Sequence, residues 1–181
     1  MPCSSASASS ASTPLPALLE TLKFVSVAAP LAGERLVVFT CSGGDSLMSA
    51  DRAAELGLAL PEFSAAQSAD LRQQLPAFAT VSNPLDYNPS LWGDEAGLFK
   101  CFQHRLGGDC DAGLLILDYP PTDERGRADC DKSVDALLAA ARANGKQPIV
   151  CTTLQETPAG GDARPASSRP VVRRSRASRM P

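Results

Sequence analysis

The sequence predicts a three-layer α/β domain in which a mainly parallel sheet lies between two layers of helices. Two observations predict this class. Short apolar runs without alternation are typical of strands covered on both faces, and three occur: LVVFT at 36–40, AGLLILDY at 112–119 and QPIVCTT at 147–153. These runs alternate along the chain with segments of helical periodicity, which favours parallel strands joined by helical crossovers.

The N-terminal part of the chain precedes the first of these strands. Residues 1–13 are almost all Ser and Ala, and a segment with so little apolar surface is expected to be disordered. We assign residues 14–156 to the folded domain. Pro16 starts a predicted helix whose apolar side chains recur at helical spacing: Leu15, Leu18, Leu19 and Leu22.

The first strand, 36–40, runs into Ser42-Gly43-Gly44 and then into an amphipathic helix. This helix is predicted to end at Gly57, because glycine readily adopts the left-handed conformation found at helix C-termini. LALPEF at 58–63 is a candidate for a short second strand.

Ser64 and Gln67 form a capping box, which predicts the start of the next helix, and Pro76 stops that helix. The segment NPLDYNP at 83–89 is predicted to be a loop.

Two more helices are predicted from apolar residues that recur on one face. The first spans 94–106 and the second spans 131–144, with Gly145 just past its end. Each precedes one of the apolar runs and therefore fits a helical crossover between parallel strands.

The sequence after the last strand breaks this alternation. Thr153 and Glu156 form a second capping box, but the Pro and Gly residues that follow forbid the helix it announces. Residues 157–181 hold six Arg and one acid, Asp162, so we interpret them as a basic disordered tail and the sheet as lacking its last elements. Two origins stay open: out-of-frame reading of GC-rich DNA, and a natural tail that binds anionic partners.

Charge and cysteine content exclude several classes of protein. Residues 1–156 hold nineteen acids against eleven Lys and Arg, which does not favour a nucleic-acid or membrane surface. No apolar stretch approaches the ~20 residues of a membrane helix and no signal peptide is visible, so we expect a cytoplasmic protein. Six cysteines without a Cys-x-x-Cys pair, and a single histidine, predict free thiols and no zinc site.

The turn between the first strand and its helix is the best candidate for a binding site. The first N–H groups of a helix have no intrahelical acceptor, and the helix dipole adds partial positive charge there. A phosphate site is therefore predicted at Ser42, Gly43, Gly44, Asp45 and Ser46. Two points leave it open: a Gly-Gly pair also makes a tight turn, and the Asp45 carboxylate competes for the same N–H groups.

Other polar residues follow strands, where ligands of parallel sheets collect. Asn83 and Asp86 lie on a loop near the predicted site, although Asx residues beside proline are more often turn formers. Asp118 either binds magnesium, positions a substrate or is a solvated strand end. His104 is predicted to be a solvated surface residue and Cys41 a buried thiol, and no nucleophile–base pair is visible.

The chain resembles the succinyl-CoA-synthetase-like flavodoxin domain of the NDP-forming acyl-CoA synthetases, the family of the ADP-forming acetate–CoA ligases. The resemblance is carried by RLVVFTCSGGDSLMSADRAAELGLALPEFSAAQSADLRQQLPAFATVSNPLDYN. Its main features are the Ser-Gly-Gly turn before Ala50-Asp51, then LRQQLPAFATVSNP, then Asn83-Pro84-x-Asp86. Similarity extends over residues 15–156 and implies a flavodoxin-like fold.

The resemblance implies a function. Family members convert an acyl-CoA, a nucleoside diphosphate and phosphate into a free acid, CoA and a nucleoside triphosphate, in either direction. A histidine on a loop outside this domain carries the phosphoryl group, and the domain offers a helix N-terminus to it. This implies a phosphate-binding role for residues 42–46, beside Asn83 and Asp86, and no catalytic residue in this chain.

The resemblance also implies partners. CoA, ATP or ADP and magnesium belong to the complete enzyme, and no cofactor is expected to be bound by this chain alone. The expected partners are CoA-binding and ATP-grasp domains or subunits, without which the chain is expected to be inactive. The alternative is a non-catalytic, truncated binding or assembly module that retains the fold. An electron-transfer flavodoxin is disfavoured, because the loops lack a convincing pair of aromatic residues to stack on a flavin, with Tyr87 and Trp92 as the residues to test.

Overall fold

A parallel sheet of four strands forms the centre of the described structure, a computed structural model that describes residues 21–153 apart from 23, 27 and 29. The strands lie side by side in the order β2-β1-β3-β4, and every pair is parallel. Their bounds are β1 Leu36–Thr40, β2 Leu85–Asp86, β3 Ala112–Ile116 and β4 Gln147–Cys151. The predicted α/β class with a parallel sheet is confirmed.

Four helices connect these strands within the described part of the chain. They are α1 Gly43–Glu55, α2 Ala65–Gln74, α3 Glu95–Leu106 and α4 Glu124–Asn144, and a 3-10 turn spans Pro89–Leu91. The chain moves across the sheet in one direction after β1 and in the other direction after β2 and β3. Because crossovers between parallel strands are right-handed, α1 lies on one face of the sheet and α3 and α4 on the other.

The larger core lies on the face covered by α3 and α4. Phe39 of β1 packs against Phe102 of α3 with ring centroids 4.4 Å apart, and Tyr87 meets Phe102 edge-on at 5.6 Å. All three rings are fully buried. Leu36 and Val38 of β1 point to the opposite face, as the period of two in a strand requires.

Several local predictions are confirmed. Ser64 and Gln67 form both hydrogen bonds of the capping box at the start of α2. The φ angles of Gly57 and Gly145 are +69° and +63°, so both glycines follow their helices in the left-handed region. The helix predicted at 94–106 is α3, with Asp94 as its N-cap.

Other elements differ from the prediction. Helix α4 begins at Glu124, seven residues before the predicted start, because Asp123 caps it by accepting a hydrogen bond from Arg125 N at 3.1 Å. The segment LALPEF forms only one bridge, between Ala59 and Arg35, and the predicted loop 83–89 contains the short edge strand β2. Strand β3 stops at Ile116, three residues before the predicted end.

Other predictions fall partly or wholly outside the described residues. Of the helix predicted to start at Pro16, residues 21, 22 and 24–26 are described and are helical. The segments 1–13 and 157–181 lie outside the described residues, as does Glu156. No described helix is both long enough and apolar enough to cross a membrane.

The described cysteines are free thiols. Cys101 of α3 and Cys130 of α4 lie fully buried in the core, and burial raises the pKa of each to about 12. Cys151 at the end of β4 is half-buried, and burial raises its pKa to about 11. These thiols therefore stay protonated and unreactive at neutral pH.

Candidate functional site

The junction of β1 and α1 lies at the edge of the sheet where the strands end, hereafter the carboxyl edge. Ser42 is the N-cap of α1, with an extended backbone (φ −131°, ψ 125°). Its hydroxyl accepts a hydrogen bond from Asp45 N at 3.4 Å, and its carbonyl accepts one from Ser46 N at 3.0 Å. Ser42 thus organises the first turn of the helix rather than pointing to solvent as a free ligand.

Thr40, the last residue of β1, holds this turn in place through two hydrogen bonds of its hydroxyl. The side chain is fully buried, and its hydroxyl accepts a hydrogen bond from Ser42 N at 3.1 Å. The same hydroxyl donates to Asp45 Oδ2 at 3.4 Å, so the Asp45 carboxylate contacts Thr40 rather than the helix amides. Thr40 was not predicted as part of the site, and its signal in the sequence is a polar residue that closes an apolar strand.

The amides of Gly43 and Gly44 are the exposed donors of the site. Within the described structure, neither N–H has a protein acceptor, as expected for the first residues of a helix. Neither glycine has a left-handed φ, and an added Cβ would meet nothing closer than 3.6 Å. The fold therefore does not require glycine here, in contrast to the tight-turn explanation, and the bare backbone leaves room for an anion.

A cavity of about 330 Å³ opens beside these amides, hereafter the edge cavity. Its single charged lining residue is Asp86, whose Oδ1 accepts a hydrogen bond from Asn88 N at 2.9 Å. The lining residues are Gly43, Ser46, Leu47, Phe78, Ala79, Thr80, Ser82, Asp86 and Asn88. The cavity thus brings together three residues predicted for the site, Gly43, Ser46 and Asp86.

Asn83 was predicted near the site, but its side chain contacts the scaffold. Its Nδ2 donates to Leu36 O at 2.7 Å and to Pro61 O at 3.1 Å, and its Oδ1 accepts from Val38 N at 3.0 Å. The amide therefore ties the segment after α1 to the backbone of β1. This explains why LALPEF makes only one bridge to β1. The Asn83 side chain occupies the backbone groups of Leu36 and Val38 that further strand pairing would use.

Asp118 follows β3 and joins the ends of two strands. Its Oδ1 accepts a hydrogen bond from Thr153 N at 2.8 Å, and its Oδ2 accepts one from the Thr153 hydroxyl. Within residues 30–153, no group of three or more potential metal ligands comes together. The contacts of Asp118 are those of a residue that fixes the chain after β4.

Three further candidates lie apart from the turn or cannot act as ligands. His104 is half-exposed on α3, with Nδ1 3.1 Å from Asp70 Oδ2, in keeping with the prediction of a surface residue. Cys41 is half-buried, and burial raises the pKa of its thiol. Tyr87 is fully buried in the core and is not accessible for stacking on a flavin, in agreement with the prediction that disfavours an electron-transfer flavodoxin.

Comparison with solved structures finds the same fold in larger proteins. PH0766 from Pyrococcus horikoshii OT3 matches with a TM-score of 0.65 and 20% identity, over 79% of this chain and 32% of that chain. The dinucleotide-forming acetyl-coenzyme A synthetase 1 of Ca. Korarchaeum cryptofilum matches in its apo form with a TM-score of 0.60 and 20% identity, over 78% and 30% of the two chains. Its complex with phosphate and ADP matches with a TM-score of 0.57 and 22% identity, over 76% and 28%.

These matches support the flavodoxin-like three-layer fold. The chain spans about a third of the length of the proteins it resembles. No family model and no curated protein matches the sequence.

Proposed function

We propose that the chain is a module of an NDP-forming acyl-CoA synthetase, an acid–thiol ligase, and that it offers the N-terminus of α1 to the phosphoryl group this enzyme transfers. The likeness to an archaeal acetyl-coenzyme A synthetase supports this class of enzyme. The share of that enzyme that the chain spans supports a module rather than the whole.

The observation that carries the proposal is the pair of free amides at Gly43 and Gly44. Two adjacent N–H groups at the start of a 13-residue helix combine hydrogen-bond donors with the positive end of the helix dipole. The fold does not need glycine at either position, so the close approach of a ligand gives the missing physical reason. Ser42 and Ser46 complete the first turn and hold these donors in place.

The surrounding charges indicate that the module binds phosphate weakly by itself. Asp45 and Asp86 lie beside the amides, and no Lys or Arg lines the edge cavity. Both carboxylates repel a phosphoryl dianion, so the compensating positive charge has to come from another part of the enzyme. This agrees with a module that acts only after assembly with CoA-binding and ATP-grasp domains.

CoA, the nucleotide and magnesium belong, in this proposal, to those other domains. When bound there, the nucleotide supplies or accepts the phosphoryl group, and the metal balances its charge. The residues of this chain orient that group through the two backbone N–H donors. They contribute no side chain that donates or accepts a proton in the reaction. Asp118 is engaged with Thr153 and is not assigned a metal-binding role.

The test is a phosphoryl-transfer assay with ATP, CoA and short-chain acids. It is run with the purified chain alone and again with the CoA-binding and ATP-grasp parts of a related enzyme. Gly43→Asp places a carboxylate at the first residue of α1 and is expected to abolish the activity seen in the mixture. Ala65→Asp is the matched control, because Ala65 is exposed and is the first residue of α2.

Activity that survives Gly43→Asp would overturn the assigned site. A folded chain that stays inactive in the mixture would favour the alternative, a non-catalytic binding or assembly module that retains the fold. Asp45 and Asp86 are the observations that favour this alternative, since both oppose an anion.

A further inference from the structure

The edge cavity has features that the binding of phosphate does not use. Leu47 and Phe78 form its walls, and their side chains are 71% and 76% exposed. Met48, next to Leu47 on α1, is 56% exposed. Large apolar side chains grouped at this level of exposure are typical of a surface that another segment covers.

The polar part of the cavity selects a cation. Asp86 is its single charged residue, and its Oδ1 is already bonded to Asn88 N, which leaves Oδ2 on the side of Gly43. Ser46, Thr80 and Ser82 also line the cavity, and their hydroxyl oxygens are further potential acceptors. A guanidinium group fits such a site, because it presents several donors in a plane while its aliphatic stem packs on apolar walls.

The chain itself contains a segment with this chemistry. Residues 171–174 read Val-Val-Arg-Arg, and they are the place in the basic segment 157–181 where two aliphatic side chains adjoin two arginines. The charge is complementary, since residues 157–181 carry six Arg whereas the nine residues that line the cavity carry one carboxylate and no cation.

The segment is also long enough to reach the cavity. The last described residue, Thr153, follows β4 and therefore lies at the same carboxyl edge as the cavity. Adjacent strands lie ~4.8 Å apart, so the end of β4 is about 10 Å from the end of β1. The chain between 153 and 171 can span up to roughly 60 Å, and attachment in cis gives an effective concentration on the order of millimolar.

We propose that Val171–Arg174 bind the edge cavity of the same molecule. The two valines lie against Leu47 and Phe78, and an arginine pairs with Asp86. This proposal goes beyond the acyl-CoA synthetase function and does not depend on phosphate binding.

The experiment uses amide NMR spectra of the full-length chain at low ionic strength. Arg173→Glu/Arg174→Glu is expected to shift the amide signals of Gly43, Leu47, Phe78 and Asp86. The matched control, Arg164→Glu/Arg169→Glu, changes the net charge by the same amount and is expected to leave these signals in place. Val171→Ser/Val172→Ser tests the apolar half of the contact and is expected to move the signals of Leu47 and Phe78.

Salt gives a second test on the unchanged protein. Since ~1 M salt reduces the Debye length to about 3 Å, the wild-type signals are expected to move toward those of Arg173→Glu/Arg174→Glu. The proposal is overturned if both arginine pairs shift the signals equally, which would indicate general charge attraction, or if neither shifts them. It is also overturned if the shifts depend on protein concentration, because the contact would then form between copies.

Discussion

Charged side chains are paired at the edge of the sheet where the strands begin, and they are not paired in the same way at the edge where the strands end. At the edge where the strands begin, Arg35 donates to Asp111 from its backbone N at 3.0 Å, from Nε at 2.9 Å and from Nη2 at 2.7 Å. Asp109 adds a further contact to the same guanidinium. Lys146 lies nearby and donates to the carbonyl of Cys110 at 2.6 Å.

At the carboxyl edge the charges and donors are not matched in this way. Among the described residues, no Lys or Arg forms an ion pair with Asp45 or Asp86. The amides of Gly43 and Gly44 have no acceptor, and Leu47 and Phe78 are exposed. The difference teaches that the charged groups at the beginning of the strands are paired within the fold, whereas at the end of the strands the amides of Gly43 and Gly44 and the carboxylate of Asp86 are left for a ligand or another segment.

The largest expected effect comes from a residue that lies near the site in sequence but contacts the scaffold. Asn83→Ala removes the partners of Leu36 O, Val38 N and Pro61 O, which leaves buried backbone groups unpaired. We expect a loss of roughly 2–4 kcal/mol in the free energy of unfolding, measured by urea denaturation. Ser82→Ala, an exposed neighbour, is the control and is expected to change it by less than ~0.5 kcal/mol. If Asn83→Ala left the stability unchanged but abolished phosphate binding, Asn83 would be a binding residue and not a structural one.

The second prediction tests the paired charges at the other edge. Hydrogen bonds from Arg35 lower the pKa of Asp111 to about 2. Because the folded pKa lies below the unfolded value of ~3.9, the pair stabilises the fold above that value, and this stability is lost as the pH falls toward 2. Asp111→Asn is expected to lower stability at pH 7 and to flatten its pH dependence between pH ~4 and ~2 in thermal unfolding. Arg35→Lys keeps the positive charge but loses the planar set of donors, so its stability is expected to lie between those of the wild type and Asp111→Asn. If the stability of Asp111→Asn depended on pH as steeply as that of the wild type, the assignment would be contradicted.

The third prediction separates folding from binding within the site. Gly43→Ala adds a Cβ where there is space and removes backbone freedom from the unfolded chain, so we expect stabilisation by about 0.5–1 kcal/mol. The same methyl group is expected to weaken binding of inorganic phosphate, followed by NMR titration of Gly44. Gly145→Ala, where φ is +63°, is the control and is expected to destabilise by about 1 kcal/mol. A less stable Gly43→Ala would show that the turn itself needs glycine.

The smallest effect is expected at the wall of the edge cavity. Phe78→Ser removes a side chain that is 76% exposed and should change the free energy of unfolding by less than ~0.5 kcal/mol. Phe63→Ser is the matched comparison, because the Phe63 ring lies 4.0 Å from the Arg105 guanidinium, and it should cost more. Equal losses in chemical denaturation would mean that Phe78 belongs to the core of the fold.

Much of the fold could be predicted because local signals and tertiary structure agree. The apolar run before Ser42 became β1, the Ser64–Gln67 box began α2, and Gly145 ended α4. Where they disagree, prediction was wrong. The first turns of α4, ERGRADC, show no apolar stripe and include a glycine, so only the cap at Asp123 and burial of Cys130 explain the helix there.

The candidate site was predictable to a smaller extent. The strand, glycine turn and helix place Gly43 and Gly44 without knowledge of the rest of the chain. The contacts of Asn83 and of Asp118 depend on residues 22 to 47 positions away, and no local pattern carries that information. The direction of the Asp45 carboxylate likewise depends on a hydrogen bond from the Thr40 hydroxyl, and the sequence shows Thr40 only as a polar residue at the end of an apolar strand.

The rate at which the buried thiols react with an alkylating reagent also measures how often each part of the fold opens. Cys101 and Cys130 have no solvent access in the folded state, so an alkylating reagent modifies them only during an excursion that parts α3 and α4 from the sheet. Cys41 and Cys151, at the carboxyl edge, report smaller openings there. The order in which mass spectrometry finds these four sulfurs labelled would rank the local stability of the two layers without any added probe.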